Sequence, residues 1–225
     1  ILKNISFSIK AGERFAIVGA TGSGKSTIAK VLLRLNDIES GKILINGVNA
    51  LDLPLNCLRN QISYTPQKAY IFSGKIKDNF RFTNKDMTDE EMIKIAKIAQ
   101  SYDFIDSLPD KFDSFVAQGG INFSGGQKQR LSIARALSKD ANIYLFDDSF
   151  SALDYATDAK LRKELKTFLK DKITIIIAQR LNTIADADKI IVLKDSEITG
   201  MGTHQELLES NQEYIELAKS QGILE

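Results

Sequence analysis

Cysteine occurs once in the 225 residues, at Cys57. A lone thiol excludes an internal disulfide and any cysteine cluster for zinc, and it fits a reducing compartment. As a small apolar residue, Cys57 is expected to be buried. Excess charge is missing as well: thirty basic side chains face twenty-nine acidic ones, for a formal net charge of +1. That leaves no broad positive field to follow a phosphate backbone, which argues against nucleic acid as the partner. No apolar stretch approaches the roughly 18–20 residues of a membrane span. The longest, residues 173–178 and 190–193, have strand length. The opening Ile1-Leu2-Lys3-Asn4-Ile5-Ser6-Phe7-Ser8-Ile9 lacks the basic start and long apolar run of a signal peptide. It reads as an alternating strand and, without an initiating Met, as part of a longer polypeptide.

With 43% hydrophobic residues, the chain can build one sizeable core with a smaller subdomain attached. Ile5, Phe7 and Ile9 alternate with polar residues, and Ala11-Gly12-Glu13 turns the chain into an apolar strand over 15–18. A glycine-rich loop follows, then a helix over about 25–35, then a strand over 42–45 ended by the turn pair Asn46-Gly47. Thr88-Asp89-Glu90-Glu91 forms a capping box for an amphipathic helix with Met92, Ile95, Ala96 and Ala99 on one face. From Gly125 onward helix and strand alternate: a helix to 138, a strand over 143–146, a helix over 157–169 and a strand over 173–177. A strand pair over 189–194 and 198–201 precedes two short helices from His204. This is α/β winding, interrupted by a mainly helical middle third over about 79–112.

Gly19-Ala20-Thr21-Gly22-Ser23-Gly24-Lys25-Ser26 matches G-x-x-x-x-G-K-[ST], and it lies between an apolar strand and a helix, where that pattern works. Glycines let backbone N–H groups turn inward to phosphate oxygens, the helix start adds positive dipole, and Lys25 reaches the β and γ phosphates. Ser26 can ligate Mg²⁺, and Thr27 continues the cradle into the helix. The residues thus point to ATP with Mg²⁺ as ligands. Such a loop needs a second metal ligand at the carboxyl end of a neighbouring strand, which Ile143-Tyr144-Leu145-Phe146-Asp147 supplies. Asp148 follows at once, and a double acid at that place is metal and water chemistry.

Phe123-Ser124-Gly125-Gly126-Gln127, followed by Lys128-Gln129-Arg130-Leu131-Ser132-Ile133-Ala134-Arg135, precedes that strand. Over its whole length the chain here resembles the nucleotide-binding domains of ABC transporters, with Walker A, signature, Walker B and switch segments in the family's order. The resemblance implies a P-loop NTPase fold of the ABC-ATPase type, α/β with an antiparallel β subdomain and an inserted α-helical subdomain over about 79–138. It implies one nucleotide-binding domain over 1–225 with a membrane domain upstream, at the cytoplasmic face of the cell membrane. Two such domains pair head to tail, each ATP lying between one Walker A loop and the other domain's signature, here Ser124, Gly125, Gly126 and Gln127. Gln67, in Tyr64-Thr65-Pro66-Gln67, matches the glutamine that ligates Mg²⁺ and senses the membrane domain. Asp154 matches the D-loop at the dimer interface. The segments 71–79 and 202–208 resemble the exporter version of the family, with Thr203 as a helix cap and His204 as a structural surface residue.

Two positions depart from the family pattern. The catalytic base is usually glutamate; here it is Asp148, shorter by one methylene. The switch histidine of I-A-H-R is replaced in Ile177-Ala178-Gln179-Arg180. Gln179 can donate a hydrogen bond to the γ-phosphate but cannot carry a proton or a charge. Both changes on one catalytic face resemble the asymmetric exporters in which one of two ATP sites hydrolyses poorly. The expected partner is a different chain with intact glutamate and histidine, and the expected activity of this chain alone is weak ATP hydrolysis. The alternatives are a symmetric ATPase that uses Asp148 as base, and a soluble ABC protein of translation or DNA repair. The aromatic residue on which the family stacks adenine would lie upstream of Ile1.

Overall fold

A computed structural model describes residues 2–224. In chain order the first elements are β1 (Arg14–Gly19), α1 (Lys25–Leu32), β2 (Leu44–Ile45), β3 (Val48–Asn49), α2 (Leu55–Gln61) and β4 (Ile62–Thr65). Next come β5 (Gly74–Lys75), α3 (Ile76–Arg81), α4 (Asp89–Ile98), α5 (Tyr102–Asp106), β6 (Phe115–Val116) and α6 (Gly125–Leu137). The chain continues with β7 (Ile143–Asp147), α7 (Tyr155–Phe168), β8 (Ile173–Ile177), β9 (Lys189–Lys194), β10 (Glu197–Gly202), α8 (His204–Ser210) and α9 (Gln212–Ser220). The described residues divide into two compact units: 2–63, 141–147 and 171–224 form the first, and 64–140 and 148–170 the second.

The first unit is built on a six-stranded sheet in the order β10-β9-β1-β8-β7-β4. β1 pairs in parallel with β8, Ile17 opposite Ile177, and with β9, Val18 opposite Val192. β7 adds to β8 in parallel, Asp147 opposite Ile177, and β10 closes the edge antiparallel to β9. Phe15, Ala16, Ile17 and Val18 are fully buried, as expected of a parallel strand covered on both faces. The start of β1 is anchored by Arg14, whose backbone N–H donates to Asp188 Oδ2 (2.8 Å) and whose Nη1 pairs with Asp186 Oδ2 (2.6 Å).

Asn46 and Gly47, both at positive φ (52° and 82°), make the two-residue turn between β2 and β3, where a left-handed backbone suits Asn and Gly. Residues 2–10 differ from expectation. Half-buried positions 5, 7 and 9 alternate with exposed ones, and Phe7 stacks on Phe15 with centroids 4.9 Å apart. Among the described residues, however, they form no strand. Alternation specifies a face, whereas a strand also needs a neighbour's ladder, which periodicity cannot supply; Ile1 lies outside the described residues.

The second unit is mainly helical. α4 is held by the Thr88 and Glu91 capping box and buries Met92, Ile95, Ala96 and Ile98, with Ala99 just beyond its end. α6 packs on α3 and α4, and α4 also on α7. Of the nine helices of the described residues, α2, α3 and α5 carry too few periodic apolar positions to be read from the sequence. Cys57 corrects its expectation: it is exposed on α2, whose buried residue is Leu58.

Candidate functional site

In the first unit the loop after β1 turns on its glycines. A Cβ at Gly19 would collide with the carbonyl oxygen of Leu193 and come within 2.7 Å of Ser23 Oγ, so the residue must be glycine for the loop to pass β9. Gly22 and Gly24 lie at φ 86° and 102°, the left-handed region that glycine enters without strain. No side chain caps α1, and Gly24 stands at its N-cap, which leaves the helix start open to an anion. Ser23 Oγ is buried with no hydrogen-bond partner. Lys25 is 7% exposed, and its Nζ donates to the carbonyls of Gly19 (2.6 Å) and Ala20 (2.8 Å). Thr27 N–H donates back to Gly24 O at 3.0 Å.

Ser26 and Asp147, 121 residues apart in sequence, are joined by a hydrogen bond from Ser26 Oγ to Asp147 Oδ1 of 3.1 Å. The parallel sheet makes this contact, because α1 and the end of β7 both reach the same edge. A hydroxyl beside a carboxylate is a hard-oxygen donor pair suited to Mg²⁺, which takes few protein ligands and completes its shell with phosphate and water. No group of three His, Cys, Asp or Glu that could hold a metal occurs among the described residues. The open helix start, the orphaned Ser23 hydroxyl and the Lys25 ammonium fit a polyphosphate, and the Ser26–Asp147 pair fits its Mg²⁺.

Gln179 is exposed past the end of β8. Its carbonyl accepts from Gln221 Nε2 (2.8 Å), while Leu181 N–H donates to Gln221 Oε1 (2.9 Å). Sequence reasoning missed Gln221, since a polar residue just past a helix carries no signal of its own. It missed Leu193 as well, because only its backbone oxygen is involved.

In the second unit Gln67 and Asp148 meet: Gln67 Nε2 donates to Asp148 Oδ2 at 2.9 Å. Asp148 is 8% exposed and has φ 48°, a left-handed conformation that Asp tolerates better than longer side chains do. Its carbonyl accepts from Ser151 Oγ (2.8 Å), and Ser149 Oγ donates to the carbonyl of Thr65 (2.9 Å), tying the segment after β7 to the end of β4. Ser124 caps α6. Its Oγ accepts from Gln127 N–H (3.2 Å), and its own N–H donates to Gln127 Oε1 (2.9 Å). The two glycines between them have room: a Cβ at Gly125 would meet nothing within 4 Å, and one at Gly126 would only touch Ala152 O at 3.6 Å. Asp154 caps α7 by accepting from Thr157 N–H at 3.0 Å. That hydrogen bond lowers its pKa, with Arg130 adding a smaller pull.

Thr203 caps α8 as expected, its Oγ1 accepting from Glu206 N–H at 3.4 Å. His204 is less superficial than expected. It is half-buried, with Nδ1 2.6 Å from the hydroxyl of the fully buried Tyr214.

The family pattern described as ABC transporter matches residues 2–151. The chain belongs to the ABC transporter family. As an ATP-binding domain of that family it is 45% identical over 220 residues to an ABC transporter ATP-binding protein of Bacillus subtilis, covering 98% of this chain and 38% of the relative. It is 42% identical over 223 residues to a putative multidrug export ATP-binding/permease protein of Staphylococcus aureus, covering 99% of this chain and 39% of the relative. With the mitochondrial iron-sulfur clusters transporter atm1 of Aspergillus fumigatus it shares 43% over 223 residues, 98% of this chain and 31% of that one. Among solved structures, a bacterial Atm1-family ABC exporter with ATP bound superposes with a TM-score of 0.94 at 38% identity, over 98% of this chain and 39% of the other. The chain thus spans between 31% and 39% of the length of these curated relatives. The α/β ABC-ATPase fold, with its parallel-dominated sheet and helical subdomain, is the expected one.

Proposed function

We propose that this chain is the ATP-binding module of an exporter and that its own phosphate loop holds Mg-ATP while hydrolysing it slowly. The observation that carries the proposal is the pair of residues at the catalytic positions, Asp148 and Gln179. The carboxylate of Asp148 is short and engaged by Gln67 at 2.9 Å, and no proton acceptor stands at 179. In this reading Gly19, Ala20, Thr21, Gly22, Ser23, Gly24, Lys25 and Thr27 cradle the phosphates. Ser26, Asp147 and Gln67 are the Mg²⁺ ligands, and Gln179 donates to the γ-phosphate. When bound, the metal ion offsets phosphate charge; the chain's own residues orient the phosphates and exclude water from them.

The signature Ser124, Gly125, Gly126 and Gln127 serves a second nucleotide, held by a partner domain on another chain with intact glutamate and histidine. The exposure of Ser124 and Gly125, with open space around Gly125, supports a role toward a partner. Residues 1–225 act as one nucleotide-binding domain, with Asp154 at the dimer interface and a membrane domain upstream in the same polypeptide, at the cytoplasmic face. The export names of the relatives support the transport role, and the near-neutral charge of +1 argues against a nucleic-acid partner.

Single-turnover hydrolysis at this loop is the test. Slow turnover with tight Mg-ATP retention is expected; turnover matching ABC domains with glutamate and histidine would establish Asp148 as an adequate base in a symmetric ATPase. Lys25→Ala should abolish tight nucleotide binding, and retained affinity would refute the phosphate-loop assignment.

A further inference from the structure

The parallel ladder that holds β8 against β1 ends at Ala178, whose N–H donates to Ile17 O at 3.1 Å. Past that point the chain carries Gln179, and the side-chain amide of Gln221 takes over. Its Nε2 donates to Gln179 O (2.8 Å) and its Oε1 accepts from Leu181 N–H (2.9 Å). Arg180, between them, is extended at φ −92° and ψ 122°. In an extended strand the carbonyl of one residue and the N–H two residues on point the same way. One planar amide therefore satisfies both, as a neighbouring peptide group would.

Gln221 is itself firmly mounted. It stands at the end of α9, closed by Gly222 at φ 66° with Ile223 N–H donating to Ala218 O at 2.9 Å, the six-to-one bond of a Schellman cap. α9 is seated through the fully buried Tyr214 and Ala218 and packs on β1 and β9. At its start Asn211 accepts from Tyr214 N–H (2.9 Å) and donates to Thr199 O of β10 (3.0 Å).

We propose that Gln221 is a positioning residue for Gln179: the terminal helix α9 sets the direction of the switch side chain through this amide. The inference rests on the reading of Gln179 as the γ-phosphate ligand. It is tested by competition of Mg-AMP-PNP and Mg-ADP against 8-azido-ATP photolabelling of this chain in the intact protein. Gln221→Ala should weaken Mg-AMP-PNP about fivefold, the effect of one modest hydrogen bond, and leave Mg-ADP unchanged. Gln221→Glu, which keeps the acceptor for Leu181 but turns a carboxylate toward Gln179 O, should behave likewise. Gln179→Ala should show the same selective loss, and the double variant Gln179→Ala/Gln221→Ala should lose no more than Gln179→Ala does.

A parallel loss of Mg-ADP binding, or losses that multiply in the double variant, would mean that Gln221 serves stability alone and would overturn the proposal. Should Gln179→Ala lower the preference while Gln221→Ala does not, the inference falls and the reading of Gln179 stands. If Gln179→Ala changes nothing, both fall.

Discussion

Replacing Asp148 by Glu and Gln179 by His should raise the ATPase rate while lowering stability, and the structure separates the two effects. The added methylene advances the carboxylate by about 1.5 Å. Since a misplacement of about 1 Å near reacting atoms costs on the order of 10²-fold in rate, the expected gain reaches up to about 100-fold, or ~2.7 kcal/mol of barrier. The backbone acts in the opposite direction. Asp148 sits at φ 48°, where a left-handed residue costs about 1–2 kcal/mol that the short Asp side chain partly relieves. Glu forfeits that relief and must also re-form the Gln67 contact now made at 2.9 Å. The strain is shared by ground and transition states, so it should appear as about 2–4 °C of lost Tm rather than as lost kcat. Steady-state ATPase and thermal melting of Asp148→Glu/Gln179→His against the parent protein check both. An unchanged kcat would refute slow hydrolysis by geometry, and an unchanged Tm would refute the backbone argument.

Two further outcomes follow from single contacts. Gly19→Ala drives a methyl group into the Leu193 carbonyl; nucleotide binding should be lost and stability lowered by about 1–3 kcal/mol, measured by denaturant titration. His204 is a pH probe. Burial lowers its pKa from the usual 6.5, so below that value the unfolded chain takes up the proton first, and stability falls as the pH drops. The melting temperature of the parent should therefore decline between pH 7 and pH 5, and His204→Gln should flatten that slope.

The legible part of the site was the part written in consecutive residues. The loop from Gly19 to Ser26 displays its glycines, its lysine and its flanking strand in one stretch, and Ser124 to Gln127 shows a cap within four residues. The helix after Thr88 was readable because burial repeats at the helical period, and the strands around Asp147, Ile177 and Val192 because short continuous apolar runs mark strands buried on both faces. The opening alternation at Ile5, Phe7 and Ile9 was equally regular yet forms no strand among the described residues, since pairing is a property of two segments.

By itself the sequence determined the glycine, lysine and serine pattern from Gly19 to Ser26, the order of the family's motifs and the residues at positions 148 and 179, because these are matters of residue type and spacing. Tertiary structure alone decided that Ser26 donates directly to Asp147 across 121 residues, that Asp148 takes a left-handed backbone with Gln67 on its carboxylate, and that Gln221 brackets the segment from Gln179 to Leu181. The reason is physical. A hydrogen bond between distant residues depends on the register of a sheet and the mounting of a helix, which no local pattern of side chains encodes.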